Sequence, residues 1–229
     1  MIGVIVPLYN KKEYLEECIN SIYDNNFDKN KLEVIIVNDG STDNPQDMLN
    51  KLQKKYKTLE IICQKNRGLP AARNIGIASC TGQYIVCLDA DDKIPSNYLE
   101  ENYVNIIHSN VDVSYTDVRC FGISSQILYW PEFSVDNLRI GNYIHCAAMF
   151  NKNIWKLVGG YDELMTDGLE DYDLWLRFAK VGAKFKKTSK TFLWWRKLSN
   201  SMTTTLHLKL NEVHHYLKTK HGDWYRGQT

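Results

Sequence analysis

The stretch Tyr84-Ile85-Val86-Cys87-Leu88-Asp89-Ala90-Asp91-Asp92 decides how this chain is read. Its apolar run is the signature of a buried strand, and the acids begin where that run stops. Side chains alternate faces along a strand, so an extended continuation projects Asp89 and Asp91 together and turns Ala90 away. Paired carboxylates repel each other unless a cation lies between them, and hard oxygen ligands of this kind suit Mg²⁺ or Mn²⁺. A solvated acidic turn ahead of Lys93-Ile94-Pro95 is the competing reading. Asp92 faces the other way and reads as structural.

Upstream of this stretch, strand and helix signals alternate. Ile2 to Pro7 is an apolar strand, followed by Leu15, Cys18, Ile19 and Ile22 at helical spacing. Leu32 to Val37 is a second strand, and Met48, Leu49, Leu52 and Tyr56 share one face of a second helix. Leu59 to Cys63 and Leu69 to Ala78 supply a third strand and helix before Thr81-Gly82 turns the chain toward Asp89. Such alternation implies βαβ units, and so an α/β fold with a mainly parallel central sheet flanked by helices. Downstream, Pro95 to His108 reads as helix and Val111 to Thr116 as strand. Phe121 to Phe133 reads as short strands or a loop, and Ile144 to Phe150 as strand. Asp171 to Val181 is a helix, Ala183 to Lys187 and Thr191 to Trp195 are closing strands, and Leu206, Leu210, Val213 and Leu217 mark a C-terminal helix.

The chain has 229 residues, 44% of them hydrophobic and 24% charged, with a net charge of +1. That fits one globular domain with a substantial core and gives no electrostatic case for a nucleic acid partner. No apolar run is long enough for a membrane-spanning helix, and Met1 to Pro7 lacks the basic region of a signal peptide. The six cysteines are scattered without zinc-ligand spacing, so the expectation is buried thiols in a cytoplasmic protein.

Ligands of parallel α/β sheets bind beyond the carboxyl ends of the strands. Those ends carry Pro7-Leu8-Tyr9-Asn10, Asn38-Asp39-Gly40-Ser41, Asn66-Arg67-Gly68 and Asp89 to Asp92. An aromatic, several acids and arginines converging on one edge suggest a nucleoside diphosphate site. Tyr9 could stack on a base, Asp39 could accept from a base N–H, and Arg73 could pair with phosphate. Each has a structural alternative: Tyr9 as a cover for the sheet edge, Asp39 to Asp43 as a turn and helix N-cap, and Arg67 as a surface charge. Asp171 begins an apolar stripe with Leu174, Trp175 and Phe178, so it faces the protein body, while Asp173 and Arg177 pair on the outer face. An inward carboxylate at a helix start is either an N-cap or, if it lines a cleft, a candidate general base.

Taken together, these residues resemble the inverting family-2 glycosyltransferases of the GT-A fold. The resemblance is carried by Val4 to Asn10, Val37 to Asp43, Asn66 to Asn74, Leu88 to Asp92, and Gly159 to Glu163 with Glu170-Asp171, in that order. It covers about residues 1 to 205, which reads as a catalytic domain with a nucleotide-binding half (1–95) and an acceptor-side half (96–205), followed by a C-terminal helix and tail (206–229). The resemblance implies a hexosyl- or N-acetylhexosaminyl-transferase using a nucleotide-sugar donor, usually a UDP-sugar. Pro7, Tyr9, Asp39 and Arg73 would hold the nucleotide. Asp89 would contact ribose or metal, Asp91 would coordinate Mn²⁺ or Mg²⁺, and Asp171 would deprotonate the acceptor hydroxyl.

Two departures stand out. Asn38 occupies a position where many relatives carry aspartate, and Leu198 one where a histidine often assists at the metal, leaving Arg196 or Lys197 to neutralise phosphate. The chain lacks the Gln-x-x-Arg-Trp string of processive synthases, so single-sugar addition is expected. The acceptor is open among saccharide, lipid-linked and protein classes. Tyr129, Trp130 and His145 are candidate contacts with core packing as their alternative. His207, His214, His215 and His221 read as solvated, and Lys209, Lys218, Lys220 and Arg226 as a candidate peripheral membrane contact. The competing functions are a degenerate sugar-nucleotide-binding module and a nucleotidyltransferase. The latter usually carries a Gly-rich basic loop, which Leu8-Tyr9-Asn10-Lys11-Lys12 is not.

Overall fold

The computed structural model describes residues 1–199 and 209–227, so Leu206 and His207 lie outside the described residues. The apolar runs of the first half become β1 (Ile2–Leu8), β2 (Leu32–Asp39) and β4 (Tyr84–Cys87), buried almost throughout, and the edge strand β3 (Leu59–Gln64), which exposes Glu60 and Cys63. Between them lie α1 (Lys12–Tyr23), α2 (Gln46–Lys55) and α3 (Leu69–Ser79). β1 pairs in parallel with β2 and β4, and β2 with β3. All four strands therefore end on one edge, as crossover connections require.

The second half extends the same sheet. It contains α4 (Tyr98–Ser109), β5 (Val113–Gly122), β6 (Ile127–Leu128), α5 (Val135–Ile140), β7 (Met149–Asn151), α6 (Lys152–Leu157), α7 (Glu170–Lys180), β8 (Phe185–Lys197) and α8 (Leu210–His221). The strand order is β3-β2-β1-β4-β7-β5-β6, with β8 also pairing β5. β7 runs antiparallel to both β4 and β5, whereas β8 is parallel to β5. The expected strand over Ile144 to Phe150 shrinks to Met149–Asn151, because residues 142–148 loop away toward the sheet edge. The two expected closing strands are one, β8, whose pairing with β5 shifts register between Thr116 and Asp117. That irregularity skips Ser189 to Thr191, which overlap the gap between the two expected strands.

Alternation along each strand sends side chains to two cores. Val4, Val6, Val34 and Ile36 pack beneath α1, α2 and α4 with Leu15, Ile19, Leu49 and Leu99. Ile5, Ile35, Val37 and Ile85 pack on the other face with Ile77, Phe150, Trp175 and Phe178. α3 lies very close to that face. A Cβ on Gly76 would stand 2.3 Å from Ile5 Cγ2, so only glycine allows this approach. Val213 and Leu217 of α8, with Tyr225, belong to this second core.

Candidate active site

Each strand end at this edge is fixed by short-range polar contacts. Asn10, in the left-handed region at φ 54°, accepts from Thr42 N at 2.7 Å, tying the β1–α1 loop to the loop after β2. Asp43 Oδ2 accepts from Lys12 N at 2.9 Å. The Asp39-to-Asp43 segment thus caps α1, not the helix that follows it in sequence, whose N-cap residue is Pro45. Gly40 has φ +69°, and a Cβ there would meet Asn66 N at 2.7 Å, so glycine lets the β2 and β3 ends touch.

Asp39 is buried at the end of β2. Its Oδ1 accepts from Gln64 Nε2 at 2.6 Å and Arg67 N at 2.9 Å, and its Oδ2 from Gly68 N at 2.9 Å. The carboxylate therefore organises the loop that opens α3, while Tyr9, just past the end of β1, is exposed. Pro7 is buried in β1, paired with Val37. Arg67 pairs with Glu163 at 2.9 Å on the surface, as its surface-charge reading has it.

β4 stops at Cys87, and Asp89 to Asp92 form a turn closed by Asp92 N donating to Asp89 O at 2.9 Å. The extended geometry expected for these acids is therefore replaced by a turn, which gives each a separate partner. Asp89 Oδ1 accepts from Arg73 Nη2 at 2.7 Å, and its Oδ2 lies 3.5 Å from the Cys146 thiol. Asp91 Oδ2 lies 2.7 Å from Lys11 Nζ. Asp92 is buried and accepts from Arg196 N at 2.8 Å, matching its structural reading. Burial, then Asp89 and Asp91, push its carboxyl well above the ordinary range.

Arg73 is 1% exposed and bridges the sheet to α7, one amino group on Asp89 and the other on Glu170. Its guanidinium carbon also lies 5.4 Å from the Tyr161 ring centroid. The neighbouring Ala71 and Ala72 are buried, and the guanidinium holds one carboxylate on each terminal nitrogen while its buried Nε has no partner among the described residues. Glu170, next to the acid singled out by sequence, is thus the anchor that sequence reasoning missed. Its signal was an acid directly before Asp171, but its arginine partner lies 97 positions away.

Asp171, half-buried at the start of α7, has no ion-pair partner among the described residues. It accepts from Asn142 Nδ2 at 3.2 Å and from Tyr172 N at 2.7 Å. Burial first and Glu170 second push its carboxyl up to about 7, while Arg73 opposes them. A carboxyl with this pKa is suited to accepting a proton near neutrality. Residues 142–146 link the acids, since Asn142 reaches Asp171 and Cys146 reaches Asp89.

Several expectations need correction. Asp173 is fully buried, not on an outer face, because α8 packs over it. It meets Arg177 at 2.7 Å, Lys220 at 2.8 Å and His221 Nε2 at 2.9 Å. Burial would push Asp173 up, but the His221 hydrogen bond and the Arg177 and Lys220 charges hold it at about 2. His221 is consequently buried, and His214 bonds the Tyr225 hydroxyl, so only His215 of the described tail histidines is exposed. Of the tail cations, Lys209 pairs with Asp167, Lys220 with Asp162 and Arg226 with Asp136 at 3.7 Å, while Lys218 donates to Tyr225 O at 3.4 Å. Arg196 is likewise committed, donating to Asp91 O at 2.8 Å and bonding Glu17, while Lys197 lies over the Trp195 ring. His145 approaches Thr116 Oγ1 at 3.1 Å, and burial pulls its pKa down to about 4. Tyr129 is 75% exposed.

The donor set suits a small hard cation bound jointly with a phosphate ligand. Among the described residues no group of three or more His, Cys, Asp or Glu side chains could hold a metal alone. Asp89 and Asp91 offer oxygen ligands, and Mg²⁺-type sites often use one or two carboxylates with substrate phosphates and water completing the shell. Among the same residues no helix is long and apolar enough to cross a membrane.

One mixed sheet flanked by helices, with acids beyond its parallel strand ends, is the GT-A architecture of glycosyltransferases. Residues 3–160 match the family model described as Glycosyl transferase family 2, and the chain belongs to that family. It is 30% identical over 227 residues to a chondroitin synthase of Pasteurella multocida (strain Pm70), covering 95% of this chain and 22% of that protein. A hyaluronan synthase of Pasteurella multocida matches equally, again over 22% of its length. The chain thus spans about a fifth of these curated relatives. Among solved structures, S. aureus TarS 1-349 in complex with UDP-GlcNAc superimposes with a TM-score of 0.76 at 21% identity, covering 89% of this chain and 60% of that one. Mannosyltransferase PcManGT from Pyrobaculum calidifontis, in complex with GDP-Man and Mn²⁺, gives 0.70 at 20% identity, covering 94% and 61%. These likenesses establish the fold.

Proposed function

We propose that this domain transfers one sugar from a nucleoside diphosphate donor, of the UDP-sugar class, to an acceptor hydroxyl with inversion. The observation that carries the reading is the pairing of two acidic stations across one site. Asp89 and Asp91 stand at the end of β4, and Asp171, raised to about 7 and without an ion-pair partner among the described residues, stands on the facing helix start. The Arg73 bridge holds the two stations together.

In this reading residues 1–95 hold the nucleotide and residues 96–205 the acceptor. Tyr9 covers the base, and Asp39 shapes the loop beneath it and meets the base edge. Asp89 and Asp91 would hold Mn²⁺ or Mg²⁺, and a bound cation there would offset negative charge on the leaving group. Asp171 takes the proton from the acceptor hydroxyl at its carboxylate oxygen. The hydroxyl oxygen then bonds the anomeric carbon as the bond to the diphosphate breaks on the opposite side, which inverts the configuration. No residue needs to form a covalent sugar adduct. The UDP-GlcNAc and GDP-Man complexes of the structural neighbours support the donor class.

The test is nucleoside diphosphate release from a panel of sugar nucleotides with Mn²⁺, using wild type and Asp91→Asn of matching circular dichroism. Release that falls at least about 100-fold in the variant is expected. Equal release by both proteins refutes the role of Asp91. Binding without turnover across saccharide, lipid-linked and protein acceptors would identify a sugar-nucleotide-binding module. Pyrophosphate formed from a sugar phosphate and a nucleoside triphosphate would identify a nucleotidyltransferase.

A further inference from the structure

We propose that Lys11 is a built-in cation surrogate on Asp91, which makes metal binding depend on the donor diphosphate. The inference rests on the donor-site reading above and adds to it a residue with a regulatory role. Lys11 Nζ lies 2.7 Å from Asp91 Oδ2, with the lysine side chain 28% and the aspartate side chain 18% exposed.

Neither partner is a loose surface group. The backbone before Lys11 is held by Asn10, whose N–H donates to Ser41 Oγ at 3.2 Å and whose side-chain Oδ1 accepts from Thr42 N at 2.7 Å, and the backbone after it by Lys12 N, which donates to Asp43 Oδ2 at 2.9 Å. Asp91 is braced from behind, because its carbonyl accepts from Arg196 Nε at 2.8 Å and the adjacent Asp92 accepts from Arg196 N at 2.8 Å. The main chains of both residues are therefore fixed, and the lysine stem is the part free to move. A lysine suits that task, since its ammonium is a compact point charge on a flexible four-carbon stem.

The charge balance shows what this ammonium does. Among the described residues, the ion-pair partners of Asp89, Asp91 and Glu170 are two cations, Arg73 and Lys11. Arg73 is buried between Asp89 and Glu170 and cannot leave without stranding both. Lys11 is the exchangeable charge. It must leave Asp91 before a divalent cation can bind that oxygen, and an ammonium remaining nearby repels the incoming ion. A donor diphosphate at the same edge gives the displaced ammonium a new anionic partner. Lys11 thus holds metal affinity down in the empty enzyme and releases that restraint when donor and metal arrive together.

The experiment is Mn²⁺ titration followed by the electron paramagnetic resonance signal of free Mn²⁺, with and without UDP. It compares wild type, Lys11→Gln, Lys11→Arg and Asp91→Asn. Without UDP, Lys11→Gln should bind Mn²⁺ about tenfold more tightly than wild type, the scale on which one neighbouring charge acts in partly solvated protein. Lys11→Arg, which keeps the charge, should stay close to wild type. The factor by which UDP improves Mn²⁺ affinity should shrink in Lys11→Gln, because one of its two sources is gone. Equal Mn²⁺ affinity of wild type and Lys11→Gln, with UDP still strengthening both and Asp91→Asn impaired, overturns the surrogate role and leaves the transferase reading standing. Unimpaired Mn²⁺ binding by Asp91→Asn in the presence of UDP removes the metal site itself, and the inference with it.

Discussion

Replacing Asp171 by asparagine should separate two consequences of one displaced pKa. Burial, then the Glu170 charge, raise the carboxyl from 3.8 to about 7, against the pull of Arg73. The folded state therefore holds this proton more tightly than the unfolded chain does. Stability from the neutral carboxyl is fully present below the unfolded value of about 4 and is lost as pH rises through about 7. Across that window the loss is on the order of 4 kcal/mol, and residual solvent contact lowers it to roughly 2–4 kcal/mol. Asparagine carries no charge and escapes the loss. Urea unfolding should show wild type and variant alike near about pH 4 and the variant more stable by roughly 2–4 kcal/mol near about pH 8. Activity should move the opposite way. Wild-type kcat/KM should rise with pH through about 7 and level off, while the variant falls by roughly 10²–10⁴-fold. A stability difference that does not change with pH, or a rate profile with its acid limb near about 4, would refute the assignment of Asp171 as a base tuned by burial.

Two further substitutions test the frame around this acid. Arg73→Met leaves the carboxylates of Glu170 and Asp89 without their shared cation, and should cost about 3–5 kcal/mol by chemical denaturation. Adding Glu170→Gln to that variant should recover part of the loss, and no recovery would mean that the bridge is not what Arg73 contributes. Asp173→Asn removes the one charge that Arg177, Lys220 and His221 share beneath α8 and should cost about 3 kcal/mol. In limited proteolysis its first cuts should fall near α8; cuts spread evenly along the chain would argue against a local latch.

The first half was legible because its physics is local. Buried parallel strands write themselves as unbroken apolar runs, and β1 to β4 follow those runs closely. The second half was harder for identifiable reasons. β7 is three residues long and is defined by pairing with β4 and β5 rather than by its own pattern. α5 and α6, six residues each, are too short to show a helical period and were not anticipated. At the site, the candidate acids were visible in the sequence but their partners were not. Lys11 and Asp91, or Arg73 and Glu170, meet only after the sheet has assembled. His221 looked solvated because its helix face reads as polar, and only its packing against Asp173 buries it.

The three acids that open α7 show how helix geometry divides the labour. Successive side chains of a helix point about 100° apart, so Glu170, Asp171 and Asp173 leave α7 in different directions. Glu170 turns toward the sheet and meets Arg73, and Asp173 turns toward α8 and meets Arg177, Lys220 and His221. Both are buried acids neutralised by cations, and together they fix the helix from two sides. Asp171 projects between them toward Asn142, an uncharged partner that accepts no part of its charge. Asp171 is raised to about 7, whereas Asp173 is held at about 2. The same rigid turn of helix therefore supplies the two anchors and, by withholding a counter-charge from the residue between them, the acid with the pKa of a base.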